Sequence, residues 1–158
     1  MNIKKRQICA IFFIFTLLLT ACKNSTDLSE NELEQKVFRL INDHRISKGL
    51  DKLEWNDAIA EQCRIHSSNM ASGIVPFSHD GFQNRLAIIK ETIPYSRAAE
   101  NVAYTSGYSE PAEIAYKTWL HNEEHKLNIE GNYNLTGVGV EKNDIGDFYF
   151  TQIFILSK

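Results

Sequence analysis

The body of the chain has no means of covalent cross-linking. Three cysteines occur in 158 residues, and Cys9 and Cys22 fall within or at the end of an N-terminal leader. Cys63 is left alone, so no disulfide can close inside the domain. Other absences narrow the chemistry. There is no Gly-x-Ser-x-Gly elbow, no HExxH or CxxC cluster and no glycine spacing of a phosphate loop, which removes the usual signatures of serine hydrolases, compact metal sites and nucleotide binding. Positive charge is not in excess either. The formal net charge is −3, and cleavage of a leader carrying Lys4, Lys5 and Arg6 makes the remainder more acidic, so no nucleic-acid partner is indicated. No internal repeat or low-complexity segment is present.

What is present begins with that leader. Lys4, Lys5 and Arg6 precede an apolar run from Ile8 to Leu19, which is too short to be a comfortable membrane span. Leu19-Thr20-Ala21-Cys22 closes it. This resembles a bacterial lipobox, which implies cleavage before Cys22 and attachment of lipid to that cysteine. Each buried methylene contributes about 0.8 kcal/mol, so several acyl chains hold more firmly than one. The competing readings are an ordinary signal peptide with a coincidental cysteine, or an uncleaved anchor. The expected organisation is a signal peptide over 1–21, a polar tether over 22–28 and one domain over 29–158, displayed outside the cytoplasm and held to a membrane through Cys22.

Within the domain, Ser29 and Glu32 form a capping-box pattern. Leu33, Val37, Leu40, Ile41 and His44 then recur at helical spacing until Gly49, which predicts a first helix. Asn56 is placed to cap a second, with Ile59, Cys63, His66 and Met70 on one face and Gly73 as its stop. A short helix is expected near Asn84 to Lys90 with loops on either side. A longer one starts around Ser109 and Pro111, with Ile114, Ala115, Thr118 and Trp119 turned inward. Two antiparallel strands are predicted at the end, Leu135–Val140 and Phe148–Ile155, joined through Asn143, Asp144 and Gly146. Helices followed by antiparallel strands indicate an α+β domain.

One stretch is more specific than these periodicities. Trp119 to Val140, WLHNEEHKLNIEGNYNLTGVGV, taken with Ala99-Glu100-Asn101 and with Phe77-Ser78-His79, resembles the CAP superfamily (SCP/PR-1-like, the cysteine-rich secretory protein family). The likeness covers nearly all of residues 30 to 156. It implies an α-β-α sandwich with a small antiparallel sheet between helical layers. Animal and plant members are typically stapled by disulfides, so this chain is similar to the bacterial branch.

The resemblance also implies a groove. His79 and His125 match the family's two cavity histidines and Glu100 its first glutamate, while Asn122 stands where a second glutamate is usual. Asn101, Asn122 and Asn128 are expected around the same groove. Some CAP domains bind zinc through the two histidines, and neutral imidazole is a suitable zinc ligand. The residues alone leave two readings open: a site for Zn2+ on His79, His125 and Glu100, or a hydrogen-bonded trio holding loops against helices. His121, four residues before His125, is a weaker candidate third ligand. His44 and His66 are expected to be packed histidines, Cys63 a small buried hydrophobe rather than a nucleophile, and Gly137 and Gly139 marks of close packing.

Three functions are compatible with this pattern: a binding module for a small molecule or peptide, a metal-dependent hydrolase acting on peptide or cell-envelope substrates with Glu100 as general base, and a structural envelope protein. The leader generates its own test. Cells fed radiolabelled palmitate are expected to incorporate label into the wild-type chain and none into Cys22→Ser, and equal labelling of the two would remove the lipobox reading.

Overall fold

The computed structural model describes residues 28–158; the leader and Cys22 lie outside the described residues. The elements are α1 (Glu30–Ser47), β1 (Glu54–Trp55), α2 (Asp57–Ala71), α3 (Phe82–Thr92), β2 (Tyr95–Thr105), α4 (Pro111–His121), α5 (Glu123–Ile129), β3 (Leu135–Lys142) and β4 (Phe148–Ser157). No helix among the described residues is long and apolar enough to cross a membrane.

The strands form one sheet in the order β1-β3-β4-β2. β3 pairs antiparallel with β4 as the expected hairpin, β2 pairs antiparallel with the other edge of β4, and β1 adds two residues parallel to β3, so the sheet is mixed rather than wholly antiparallel as expected. Alternation along β3 and β4 divides the core. Val138, Val140, Phe150 and Phe154 face α1 and α4 with Leu33, Val37, Ile41, Ala115 and Trp119. Ile153 and Ile155 face the other way, toward Ile59 and Cys63 of α2 and Leu86 and Ile89 of α3. The result is the expected α-β-α sandwich, with α1, α4 and α5 on one side and α2 and α3 on the other.

Local signals account for the helix ends. Ser29 Oγ accepts from the Glu32 N–H at 3.3 Å while the Glu32 carboxylate accepts from the Ser29 N–H at 2.8 Å, the reciprocal arrangement anticipated from sequence. Gly49, at φ +74°, supplies the left-handed turn after α1 that L side chains avoid. Asn56 Oδ1 accepts from the Ile59 N–H at 3.1 Å and starts α2.

Two buried charges of α1 were not anticipated. Glu34 accepts two hydrogen bonds from Arg64, at 2.8 and 2.6 Å. Arg45 donates to the carbonyls of Asp51, Ile129, Gly131 and Tyr133 at 2.6–3.3 Å. The guanidinium thereby satisfies the irregular turn between α5 and β3, where no regular ladder exists to do so.

The largest departure from expectation is β2, placed among loops by the sequence reading. Tyr95–Thr105 carries Ala-Ala-Glu-Asn at 98–101, four consecutive residues depleted from strands by propensity. It is nevertheless a strand because ten of its residues pair with β4. Thr118 also differs: it is exposed, whereas Ala112, Ala115 and Trp119 carry the buried stripe of α4.

α2 packs unusually closely on β3. A Cβ on Gly137 would lie 2.2 Å from the Ala60 nitrogen, and one on Gly139 would lie 2.1 Å from the Arg64 nitrogen. Ser67 Oγ and Cys63 Sγ reach the Gly139 and Gly137 carbonyls at 2.9 and 3.3 Å. Gly139→Ala must therefore push helix backbone from strand backbone, and is expected to lower unfolding stability by about 3 kcal/mol or more. An unchanged urea midpoint would contradict this seating.

Candidate functional site

The site is assembled around β2. Alternation on this strand turns Glu100 toward α3, where Arg85 occupies the inward stripe shared with Leu86 and Ile89. Arg85 Nε and Nη2 donate to the Glu100 carboxylate at 2.7–2.9 Å. The Glu100 side chain is fully buried and that of Arg85 nearly so. A carboxylate this deeply buried is stable as an anion only with such a partner. The fork geometry of arginine also takes both carboxylate oxygens at once.

His79 lies in the loop between α2 and α3, and that loop is pinned from both sides. His66 of α2 hydrogen-bonds the Ser78 carbonyl through Nε2 at 2.9 Å, and Arg85 Nη1 donates to the Asp80 carbonyl at 2.9 Å. Burial lowers the pKa of His66 below the ordinary 6.5, so it holds the loop as a neutral ring. His79 itself contacts Glu100 Oε1 through Nδ1 at 3.0 Å, with half of its side chain exposed. Because an ionised carboxylate only accepts, Nδ1 carries the proton and donates. Nε2 is left as the outward atom.

His125 approaches from the opposite wall. α4 ends at His121, the chain turns at Asn122, and α5 starts immediately after it. Asn122 Oδ1 accepts from the Glu124 and His125 N–H groups at 3.0 and 3.1 Å. Asn101, buried on β2, donates through Nδ2 to the His125 carbonyl at 3.0 Å, and Asn128 Nδ2 donates to Asn101 Oδ1 at 2.9 Å. These bonds set the His125 ring 6.3 Å from that of His79, centroid to centroid. Burial first, and then the neighbouring His79, lower the His125 pKa below 6.5, with Glu124 opposing. Its Nδ1 is buried without a hydrogen-bond partner among the described residues.

The two histidines border a groove of about 390 Å³, with Phe77, Ser78, Val102, Ala103, Tyr104 and Thr118 as the remaining lining. Most of that lining is apolar, and the Phe77 and Tyr104 rings lie 6.4 Å apart. The sequence expectation is corrected in three respects. Glu100 is a buried support rather than an open base or ligand, because Arg85 holds both of its oxygens. Asn101, Asn122 and Asn128 do not line the groove; they tie α5 to β2 and cap it. His121 is separated from His125 by the helix break, and its Nδ1 bonds the Lys117 carbonyl at 2.7 Å. Arg85 was missed, although an arginine in phase with Phe82, Leu86 and Ile89 is itself a sign of a buried ion pair. Phe77 and Tyr104 carried no such signal.

No three His, Cys, Asp or Glu side chains among the described residues are grouped to hold one metal ion. Two imidazoles nevertheless remain, and His79 has the Nδ1 carboxylate partner that metal-bound histidines normally possess. The two imidazoles are the donors available to a Zn2+ ion, one fewer than the three protein ligands usual at an open zinc site.

The model of the cysteine-rich secretory protein family, CAP, matches residues 38–154. The chain belongs to the CAP family. Its relatives include the Bacillus subtilis membrane protein YlbC, 33% identical over 128 residues, covering 77% of this chain and 34% of YlbC. YkwD of the same organism is 31% identical over 139 residues, covering 86% and 52%. The chain therefore spans about a third to a half of these CAP relatives' lengths. Among solved structures, an extracellular protein containing an SCP domain from Bacillus anthracis superposes with a TM-score of 0.65 at 28% identity, covering 84% of this chain and 45% of that one. The CAP fold expected from the Trp119 to Val140 stretch is thus the fold observed.

Removing Arg85 would leave the Glu100 carboxylate buried without compensation. Arg85→Leu is expected to lose about 3–5 kcal/mol of stability, with a large part regained in Arg85→Leu/Glu100→Gln. A double variant no more stable than the single one by denaturant unfolding would show that the pair is not the source of the loss.

Proposed function

We propose that this CAP domain is a lipid-anchored binding module, held outside the cytoplasm to a bacterial membrane through Cys22. Its groove takes a small molecule or peptide segment between the Phe77–His79 loop and the Thr118–His125 wall. The observation that carries this reading is the locked Glu100 carboxylate. With both oxygens held by Arg85 and no surface open to the groove, Glu100 is poorly placed to activate water, and general-base chemistry requires a base within hydrogen-bond reach of its proton. That arrangement favours recognition over hydrolysis.

His79 Nε2 and His125, with Ser78 and Thr118, present the polar contacts in a mostly apolar cleft, the composition typical of small-ligand sites. We include Zn2+ in the proposal as an ion carried between the two imidazoles. When bound, it would supply a Lewis-acidic centre with open coordination positions for a ligand oxygen or nitrogen. Glu100 would orient His79 for that role through Nδ1, and Asn101 would hold the backbone of His125.

Elemental analysis and calorimetry with Zn2+ test the reading near neutral pH. The wild type is expected to bind one ion, with His79→Ala and His125→Ala each weakening binding by at least about tenfold, since outer-shell losses alone already cost 10- to 100-fold. Undiminished zinc in the double variant would remove these two residues from the site. Turnover of a peptide substrate that disappears in Glu100→Gln, with zinc retained, would instead establish the hydrolase.

A further inference from the structure

The large exposed apolar side chains are unevenly distributed. Ile46, Ile65, Ile88 and Leu127 are scattered singly over four helices, and Ile74 stands in the loop after α2, as is normal for a protein surface. Leu28, Phe77, Tyr104, Tyr108 and Ile145 instead gather at one end of the sheet. Tyr104 and Thr105 form the last rungs with Tyr149 and Phe148. Ile145, 83% exposed, is in the turn that joins β3 to β4 at that same end. Tyr108, 57% exposed, follows β2 by three residues and shares a small cleft with Leu28 and Phe148. Phe77 rests against Tyr104, and Tyr104 against Tyr149 with ring centroids 5.2 Å apart.

The beginning of the described chain lies in this cluster. From Cys22 to Leu28 there are six residue steps, which extend to at most about 20 Å. α1 starts beside Leu28 and its 18 residues carry the chain about 27 Å toward the opposite end. A tether shorter than the helix holds the Leu28 end nearer to its anchor than the far end. Two tyrosines, a phenylalanine and an isoleucine at that position match the interfacial zone of a bilayer, where amphipathic aromatic rings are preferred.

We propose that this end of the domain is a membrane-docking surface: Phe77, Tyr104, Tyr108 and Ile145 rest in the interfacial layer of the bilayer to which the lipid on Cys22 is anchored. The proposal rests on the lipid-anchored reading of Cys22. Its contact is apolar, since the chain without the basic leader is more acidic than the −3 of the full sequence, and zwitterionic phosphatidylcholine, with no net charge, suffices as the surface. Phe77 and Tyr104 belong both to this surface and to the wall of the histidine groove, so docking brings the groove beside the membrane.

The test uses the full lipidated chain in vesicles of phosphatidylcholine containing a fraction of shallow doxyl-labelled phosphatidylcholine. Ile145→Cys and, separately, Leu127→Cys carry an environment-sensitive fluorophore; Cys63 is buried and does not compete for label. The probe at 145 is expected to shift to the blue and lose emission to the doxyl quencher, while the probe at 127 keeps the emission it has in quencher-free vesicles. Equal emission from both probes in a chain that has incorporated would overturn the docking surface and leave the anchor standing. A chain that fails to incorporate, with no palmitate on Cys22, would overturn the anchored reading and the docking with it.

Discussion

The contact of α2 with β3 is the constraint from which the rest of the domain follows. At Gly137 and Gly139 the strand offers bare backbone, and the helix lies so close that no Cβ fits between them. Close packing of this kind leaves little freedom in the position or tilt of the helix. It therefore fixes where His66 stands at the buried face of α2, and His66 holds the Ser78 carbonyl. The loop that presents His79 is thus located, through α2, by two glycines on β3.

The second determinant is electrostatic. Glu100 lies inside the protein because Arg85 arrives from α3 with a matching fork. That pair adds little net stability compared with an apolar pair of the same shape, but it is costly to break. Its consequence for the site is directional. An anion fixed in place orders the His79 proton onto Nδ1 and exposes Nε2, so a group that never reaches the groove decides which atom the groove presents. On the other wall, Asn101, Asn122 and Asn128 do the equivalent for His125 with neutral hydrogen bonds, which position a ring without charging it.

Much of this was legible in the sequence wherever a local rule determined the outcome. The capping box at Ser29, the Asn56 cap, the left-handed turn at Gly49 and the β3–β4 hairpin all follow from residues within a few positions of one another. The two cavity histidines and Glu100 were legible through family resemblance. What failed did so for one shared reason. β2 has a middle, 98–101, without strand formers, and it becomes a strand because β4 offers a partner more than forty positions away. Arg85 stands on the apolar stripe of α3, but its partner Glu100 is found only in the fold, and Asn122 reads as a missing carboxylate until the break between α4 and α5 makes it a cap.

By itself, then, the sequence determined the starts of α1 and α2, the hairpin, the CAP resemblance and the identity of the groove histidines, because these depend on short-range backbone chemistry or on side chains whose spacing is itself informative. Only the tertiary structure decided that Glu100 is a buried support, that three asparagines brace rather than line the groove, and that Phe77, Tyr104, Tyr108 and Ile145 share one end of the sheet. Burial and ion pairing are properties of residues far apart in the chain, and they come into being only when strand pairing brings those residues together.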